Sequence, residues 1–588
     1  MLEIKNLNIT LKTPTELLYV VDDLNLTISA GKCLAIIGES GCGKSMTANA
    51  IMRLLPQNAY YGANSKIIFK GRDLLTLTEK RMHDIRGSQI AMIFQDPMTS
   101  LNPVLSVSDQ MYETIKLTGE RNKQNIKTRA WELLSQVKIP DPNRMLKSYP
   151  HELSGGMKQR VMIAMMVAAR PKFLIADEPT TALDVTTQAT ILEILKDLQQ
   201  TNNMALLLIT HDLDVAKNVA DDIAVMYAGQ VVEYASKDSI FKNPRHPYTR
   251  RLFAARPEYK ERQNKLLEIP GAVPRLNKRS QLCKFLPRCH IATEHCKSKK
   301  LESSIPNTNH FALCHNLTMS DIKVDKQPII RNKVFEKSVL SINDYTVKYP
   351  IKSGFLRRTI GYLESVKGVS IELKEAEALA IVGESGSGKT SLARSILGLV
   401  KPSSGSSKLF GRQSLEFDRR WALEQIQLIF QDPYSALNPK LNVLQLLAEA
   451  INDREPIFES VHKLLNLVGL SSYDALKYPH EFSGGQRQRI CIARALAVEP
   501  KILICDEPTS ALDMSIQAQI LNLLLELKHS KKLSYIFITH DLSVVSYIAD
   551  FVAVMYKGEI VEYSDVQQIL MDPKHTYTKK LIDSSLFS

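Results

Sequence analysis

The chain has 588 residues, of which 44% are hydrophobic and 23% are charged, and this composition excludes a protein that is disordered throughout. Its net charge of +13 suits an anionic ligand, an acidic membrane surface or nucleic acid, and a merely basic, solvated surface would explain it equally well. The longest apolar runs are far shorter than the ~20 residues that span a bilayer. This predicts a soluble, cytosolic chain, for which another protein would have to supply any membrane path.

The first predicted elements form a phosphate-binding unit. The N-terminus, MLEIKNLNIT, alternates like a strand and lacks the pattern of a secretory signal. CLAII then predicts a strand, GESGCGKS fits the pattern GxxxxGK followed by Ser or Thr, and SMTANAIMRLL predicts a helix. Glycines let the backbone wrap a phosphate, Lys44 places a cation on it, and the Ser45 hydroxyl suits Mg²⁺.

Further along the chain, FLIADE predicts a buried parallel strand that ends in two carboxylates, Asp177 and Glu178. Ligands of parallel α/β sheets bind at the carboxyl ends of the strands. We therefore expect Asp177 to hold Mg²⁺ through its coordination shell. Glu178 is suited to orient and deprotonate an attacking water.

The second part of the chain repeats the first. The segments IVGESGSGKT, LIFQDPYSALNP, YPHEFSGGQRQR, ILICDEPTSALD and IFITHDL each have an earlier counterpart. The interval from Ser154 to Asp177 is the same as that from Ser483 to Asp506, namely 23 residues. This tandem duplication predicts one domain at residues 1–255 and another at 335–588, joined by a cysteine-containing extension and linker at 256–334.

With these motifs in view, both halves resemble the ATPases of ABC transporters. The resemblance rests on the Ser-Gly-Gly signatures, the glutamines of FQDP, the aspartates that end TALD and SALD, and the histidines of ITHDL. It implies an α/β fold with two tandem P-loop nucleotide-binding domains, each carrying a helical subdomain. It also implies an enzyme that hydrolyses MgATP at two composite sites of a head-to-tail sandwich.

The motifs and the resemblance together assign site residues in both halves. The ATP contacts are Gly38, Glu39, Ser40, Gly41, Cys42, Gly43, Lys44, Ser45, Met46, Gln95, Ser154, Gly155, Gly156, Asp184, Tyr349, Gly383, Glu384, Ser385, Gly386, Ser387, Gly388, Lys389, Thr390, Ser391, Gln431, Ser483, Gly484, Gly485 and Asp513. The Mg²⁺ ligands are Ser45, Gln95, Asp177, Thr390, Gln431 and Asp506. The catalytic residues are Glu178 and Glu507, with His211 and His540 at the γ-phosphate.

The same resemblance pairs the halves crosswise. Ser154 would serve the ATP that Lys389 holds, and Ser483 the ATP that Lys44 holds. Neither half lacks the glutamate or the signature, so we expect two chemically complete sites. The adenine contact is less uniform: Tyr349 fits it in the second half, whereas the first half has Leu11 at the matching place, with Tyr19 as a substitute.

Two further motifs indicate a branch of the family. FQDP…LNP and the segments NPRHPYTRRL and DPKHTYTKKL resemble the ATPases of peptide and nickel importers, and fused versions resemble those for oligopeptides, peptide antibiotics or glutathione. The resemblance implies two integral-membrane permease subunits and an external substrate-binding protein as partners. The chain would then be a peripheral protein on the cytoplasmic face of the cell inner membrane.

Four of the eight cysteines, Cys283, Cys289, Cys296 and Cys314, lie close together in the extension. They resemble the cysteine-bearing extension of many peptide-importer ATPases, which ligates a [4Fe–4S] cluster. Four thiolates also suit tetrahedral zinc, and unliganded thiols remain an alternative. A cytosolic location argues against disulfides.

A soluble tandem ABC ATPase acting on ribosomes or nucleic acid is the alternative function. It too has two such domains and would suit the positive charge. Its linker would be a long charged helix, however, and the linker here carries cysteines and prolines without helical periodicity. We therefore expect transport and no nucleic-acid partner.

Overall fold

The fold is taken from a computed structural model of the chain. The structure describes residues 1–95, 100–181, 183–257, 265–298, 310–315, 336–353, 358–413, 419–451, 457–510 and 512–586. Of the predicted extension and linker at 256–334, residues 258–264, 299–309 and 316–334 lie outside the described residues. Within the described ranges, no helix is both long and apolar enough to cross a membrane.

Each half is built on a mostly parallel sheet of short, buried strands. In half 1 (residues 1–255) the order across the sheet is Gln230–Ser236, Asp222–Tyr227, Cys33–Ile37, Ala205–Ile209, Phe173–Asp177 and Ile90–Ile93. In half 2 (residues 335–588) it is Glu559–Asp565, Phe551–Tyr556, Ala378–Val382, Ser534–Thr539, Ile502–Asp506 and Ile426–Ile429. The continuous apolar runs are buried on both faces, because one face of the sheet packs mainly against helices and the other packs against a second, antiparallel sheet.

A second, antiparallel sheet packs against one face of each parallel sheet. In half 1 it comprises Leu2–Lys12, Leu17–Ile28, Ala59–Tyr61, Lys66–Phe69 and Arg72–Asp73. In half 2 it comprises Ser338–Ser353, Arg358–Lys374, Ser404–Leu409 and Arg412–Gln413. Strand Leu17–Ile28 shows alternation in its second half, where Leu24, Leu26 and Ile28 are buried and the residues between them are more exposed, as fits a sheet with one face on the core.

Helices complete both halves. Those of half 1 are Lys44–Met52, Glu79–Ile85, Val107–Leu117, Lys123–Gln136, Pro142–Lys147, Gly155–Val167, Val185–Asn202, Leu213–Val219, Lys237–Lys242 and Pro247–Ala254. Those of half 2 are Lys389–Ile396, Arg419–Gln425, Pro433–Ala436, Val443–Ala448, Ile457–Leu467, Gly484–Leu496, Met514–Lys531, Leu542–Ile548, Val566–Met571 and Thr576–Leu586. Short 3₁₀ turns lie at Leu74–Thr76, Pro150–Glu152, Leu286–Arg288, Ser472–Leu476 and Pro479–Glu481.

The segment between the halves packs against both. Its strand His310–Ala312 extends the sheet of half 1 by pairing with Gln230–Ser236, and its helix Glu294–Ser298 contains Cys296. Leu266 is buried in the core of half 2, where its backbone N–H donates to Asn522 Oδ1 at 3.0 Å. The halves also touch directly, because helix Thr576–Leu586 packs against helix Val185–Asn202.

Candidate functional site

Each phosphate loop lies between the strand and the helix that the sequence predicts. In half 1, Lys44 Nζ donates to the carbonyls of Gly38 and Glu39 at 2.7 and 2.9 Å. In half 2, Lys389 Nζ donates to those of Gly383 and Glu384 at 2.7 and 2.8 Å. The ammonium groups are thus held inside their own loops, where a phosphate would meet them.

The first glycine of each phosphate loop has no room for a side chain. A Cβ on Gly38 would lie 2.2 Å from the carbonyl oxygen of Met226, and one on Gly383 would lie 2.2 Å from that of Met555. Both residues also have φ near 154°, in the region that favours glycine (153° and 155°). The neighbouring strand, Asp222–Tyr227 in half 1 and Phe551–Tyr556 in half 2, therefore leaves room only for glycine at this point of the loop.

Oxygen ligands meet behind each loop. Ser45 Oγ donates to Asp177 at 3.1 Å, and Thr390 Oγ1 donates to Asp506 at 3.3 Å. Burial raises the pKa of Asp177 to about 6 and raises the pKa of Asp506 as well, with the neighbouring glutamate acting in the same direction. A hydroxyl and a carboxylate at this distance form the donor set that Mg²⁺ prefers, and the cation would replace the proton.

The two glutamates are held by the same partners in both halves. Gln95 Nε2 donates to Glu178 at 3.0 Å and Gln431 Nε2 to Glu507 at 2.9 Å. His211 Nδ1 lies 3.3 Å from the Glu178 carboxylate, and His540 Nδ1 lies 3.2 Å from that of Glu507. Thr181, which sequence reasoning missed, also donates to Glu178 at 2.9 Å.

These contacts set the charge of the glutamates. Burial alone would raise the pKa of Glu178, but the hydrogen bond and charge of His211 lower it to about 2, and His540 lowers the pKa of Glu507 in the same way. Both glutamates have left-handed backbones, with φ of 48° and 47°. Such strain costs roughly 1–3 kcal/mol and concentrates at functional positions.

The signature serines begin helices. Ser154 Oγ accepts the N–H of Met157 at 3.3 Å, and Ser483 Oγ accepts that of Gln486 at 3.4 Å. The second signature glycine serves packing, because a Cβ on Gly156 would lie 2.3 Å from Thr187. A Cβ on Gly485 would likewise lie 2.2 Å from Ile516, whereas Gly155 and Gly484 have room for one.

The aspartates after the signature connect the halves. Asp184 and Asp513 each cap a helix by accepting the N–H of Thr187 or Ile516 at 3.0 Å. The other oxygen of Asp513 accepts the N–H of Ser40, in the phosphate loop of the opposite half, at 3.1 Å. Asp184 acts electrostatically on Lys389, whose pKa is lowered chiefly by burial. Each aspartate thus faces the other half's phosphate loop, as a head-to-tail arrangement requires.

A cavity of about 290 Å³ lies between the halves at this junction. Both histidines line it, together with Asp214, Lys217, Arg256 and Asp541. Burial raises the pKa of Asp214 to about 7, and the carboxylates Asp212 and Asp541 add to the effect, whereas Arg256 opposes it through an ion pair.

The adenine residues differ between the halves. Tyr349 lies in strand Ser338–Ser353, partly buried against the core of half 2. Leu11 in half 1 is aliphatic, and Tyr19 on the neighbouring strand has the guanidinium of Arg279 at 5.4 Å from its ring centre. The remaining loop residues, Met46 and Ser391, lie in the first turns of the helices.

The HPYT and HTYT segments contact the phosphate loops, a role that the sequence did not reveal. Tyr248 Oη accepts the backbone N–H of Glu39 at 3.0 Å, and Tyr577 Oη accepts that of Glu384 at 3.0 Å. The histidines of these segments each cap their helix by accepting the tyrosine N–H at 3.1 Å. The recurrence of the segment in both halves was the signal that could have identified the tyrosines.

The four clustered cysteines line one small cavity of about 20 Å³, together with His246 and His315. Burial raises the pKa of Cys283 to about 11, and the other three thiols act in the same direction. Among the residues that the structure describes, no three or more His, Cys, Asp or Glu side chains are arranged to hold a single metal ion.

Comparison with known proteins agrees with this geometry. The family model described as "ABC transporter" matches residues 21–181 and 366–510, and the chain belongs to this family. A model of the "Oligopeptide/dipeptide transporter, C-terminal region" matches residues 232–296 and 561–586. The α/β fold with tandem nucleotide-binding domains and the prediction of an ABC-type ATPase are thereby confirmed.

Relatives match the whole chain. The oligopeptide transport ATP-binding protein OppD of Mycobacterium tuberculosis is 42% identical over 99% of this chain and 98% of its own length. The glutathione import ATP-binding protein GsiA of Escherichia coli K12 is 40% identical over 99% of this chain and 89% of its own. A dimeric structure of a bacterial ABC transporter cassette covers 40% of this chain at 28% identity with a TM-score of 0.37. The two relatives give no support to the ribosome or nucleic-acid alternative.

Proposed function

We propose that the chain is the energy-coupling subunit of an importer for peptides, of the di- or oligopeptide, peptide antibiotic or glutathione class. The observation that carries the proposal is full-length similarity to ATPases named for oligopeptide transport and glutathione import. The matched C-terminal region supports it, since its tyrosines contact the phosphate loops of both halves. Its partners would be two permease subunits and an external substrate-binding protein, at the cytoplasmic face of the inner membrane.

In this proposal both sites hydrolyse ATP by the same chemistry. Ser45 with Asp177, and Thr390 with Asp506, would hold Mg²⁺, which would supply positive charge to offset that of the phosphates. Glu178 and Glu507 orient and deprotonate the attacking water. A carboxylate with a pKa of about 2 is a weak base, so we infer that His211 must leave Glu178 for the γ-phosphate before Glu178 can accept a proton. Closure of the halves on ATP would move the permeases.

Uptake by a deletion strain tests the cargo. We expect the loss of growth on, or uptake of, one class among peptides and glutathione, with nickel uptake as the contrasting measurement. Affinity purification from membranes should yield two integral-membrane proteins at equal stoichiometry. Retention of every uptake activity, with ribosomes as the co-purifying partner, would contradict the proposal.

We further propose that Cys283, Cys289, Cys296 and Cys314 ligate a [4Fe–4S] cluster. The position of all four thiols around one cavity supports this. Burial and the neighbouring thiols both disfavour a thiolate at Cys283, and a cationic centre that replaces the protons would offset this cost. Protein purified without oxygen should be brown and contain iron. Zinc in its place, or neither metal, would show that the cluster assignment is wrong.

A further inference from the structure

A buried arginine from the segment between the halves reaches the phosphate loop of half 1. Arg288 Nη1 and Nη2 donate to the two carboxylate oxygens of Glu39 at 2.7 and 3.0 Å. Both side chains are only 5% exposed. The guanidinium also donates to the carbonyls of Pro270, Ile269 and Gly271, so each of its nitrogens has acceptors. A bidentate pair of this kind fixes direction as well as distance.

Glu39 is the residue through which this contact reaches the nucleotide site. Its backbone N–H donates to Tyr248, its carbonyl accepts from Lys44, and its carboxylate accepts from Arg288. The residue is therefore held at three points, one of which is the ammonium that a phosphate would meet. A shift of the Glu39 side chain would move the Gly38–Glu39 carbonyls that orient Lys44.

Half 2 lacks the third contact. Glu384 has the same two main-chain partners, Tyr577 and Lys389. In the described part of the chain, no Lys, Arg or His side chain forms an ion pair with its carboxylate, and the residue is partly exposed. The two phosphate loops share their sequence pattern and main-chain contacts but differ in this support.

The same segment holds half 1 at a second point. Lys284 Nζ, on a side chain that is 1% exposed, lies 2.9 Å from Asp22 and donates to the carbonyl of Ala228 at 2.9 Å. Asp22 donates its backbone N–H to Gly229, which in turn donates to the carbonyl of Cys42 in the phosphate loop. Two buried cations, each directly next to a clustered cysteine in sequence, thus brace one nucleotide site.

We propose that Arg288 is a positioning residue for the nucleotide site of half 1 alone, and that through it the cysteine-bearing segment controls the affinity of that site. The inference rests on the proposed ATPase function. It predicts two sites of unequal affinity, because the first loop is held in its binding conformation before the nucleotide arrives. Disturbing the segment should affect the first site and spare the second.

Calorimetric titration of the full chain with MgADP tests this. Lys389→Ala leaves the site of half 1 to be measured, and Lys44→Ala leaves that of half 2. Arg288→Lys keeps the positive charge but cannot make both hydrogen bonds to the Glu39 carboxylate. In the Lys389→Ala background we expect it to weaken the binding of MgADP about tenfold, a typical strength of coupling between sites. In the Lys44→Ala background its effect should stay within about twofold.

Two controls separate positioning from folding. Arg275→Lys changes an exposed arginine of the same segment and should leave both affinities as in the parents. The pair Glu39→Gln with Arg288→Gln removes the buried charges together, so it should recover the melting temperature that Arg288→Gln alone loses. A positioning role predicts that MgADP affinity at the first site nevertheless stays low.

Three results would overturn the inference. Equal weakening at both sites would indicate a general fold defect, and unchanged affinity at the first site would show that Arg288 does not position the loop. Recovery of affinity along with stability in the Gln pair would mean that the ion pair is purely structural. Absence of MgADP binding in the Lys389→Ala parent itself would instead contradict the proposed function.

Discussion

The two nucleotide sites carry the same reactive groups on different supports. The contacts of the lysine, hydroxyl, carboxylate, glutamine and histidine groups match between the halves. The distance from the serine or threonine hydroxyl to its aspartate differs by 0.2 Å between the halves, and the other contact distances differ by less. Around the first loop, however, Tyr248 and Arg288 both hold Glu39, whereas in the described part of the chain Glu384 of the second loop has Tyr577 in the place of Tyr248 and no basic side chain in the place of Arg288. The two halves thus share the residues predicted to contact phosphate, and they differ in the contacts behind these residues.

The largest effect is expected where the sites are alike. Glu178→Gln with Glu507→Gln should abolish steady ATP hydrolysis, by about 10²–10⁴-fold, because both general bases are lost. MgADP binding should persist, since neither carboxylate touches the phosphate loops' lysines in the structure. Phosphate release measures the rate. Each single change should leave at most part of the activity, and turnover near the wild-type rate in the double variant would show that neither glutamate is the base.

A second test asks how the halves share their parts. The contact between Ser40 and Asp513 favours sites that are completed by the opposite half. Lys44→Ala with Ser483→Arg should then damage one site only and resemble either single variant, because residues acting as a unit are strongly non-additive. Lys44→Ala with Ser154→Arg should damage both and be about tenfold slower or worse.

The same variants need a control for folding. Each of the three single variants, Lys44→Ala, Ser483→Arg and Ser154→Arg, must bind MgADP at the undamaged site and melt near the wild-type temperature. If the pair within one half turns out mild and the pair across the halves severe, each half uses its own signature serine. The crosswise model would then be wrong.

The smallest effect concerns a difference at the junction of the halves. Asp214 corresponds to Ser543, and burial raises its pKa from 3.8 to about 7. A raised folded pKa means that stability is greatest when the group is protonated and falls as pH rises from about 4 to 7. Between pH 5 and pH 7 the difference spans about two pKa units, so Asp214→Ser should remove about 3 kcal/mol of this dependence.

Melting curves at pH 5 and pH 8 measure it. From pH 5 to pH 8 the melting temperature of the wild type should fall by more than that of Asp214→Ser. Asp197→Ser, at an exposed position, should follow the wild type. Parallel pH dependence in the Asp214 variant would show that Arg256 keeps the carboxylate charged throughout.

Sequence reasoning predicted the fold class and the repeated motifs because these depend on local pattern and spacing. Strand, glycine loop and helix follow one another within about 20 residues, and the carboxyl ends of parallel strands meet at one edge. The assigned roles of the site residues remain predictions. Their contacts, such as that between Ser45 and Asp177, are those that the motifs lead one to expect.

Contacts between distant segments could not be predicted in this way. Nothing in LPRC marks Arg288 as the partner of Glu39, because the two residues are 249 positions apart and no second copy exists for comparison. The family resemblance gave Asp513 as an ATP contact but did not place it beside Ser40, and the contact between Tyr19 and Arg279 had no sequence signal at all. Tertiary packing alone brings these pairs together.

Strand His310–Ala312 has a practical consequence for anyone who expresses half 1 by itself. It covers the outer edge of strand Gln230–Ser236, and His310 Nε2 lies 2.7 Å from the fully buried carboxylate of Glu233. A fragment cut at residue 255 would bare both the unpaired backbone edge and this carboxylate, which invites edge-to-edge aggregation. The corresponding strand of half 2, Glu559–Asp565, has an exposed carboxylate at each end, Glu559 and Asp565, and charge of this kind discourages such pairing. A fragment of half 1 that ends at residue 315 should therefore stay monomeric where the shorter one precipitates.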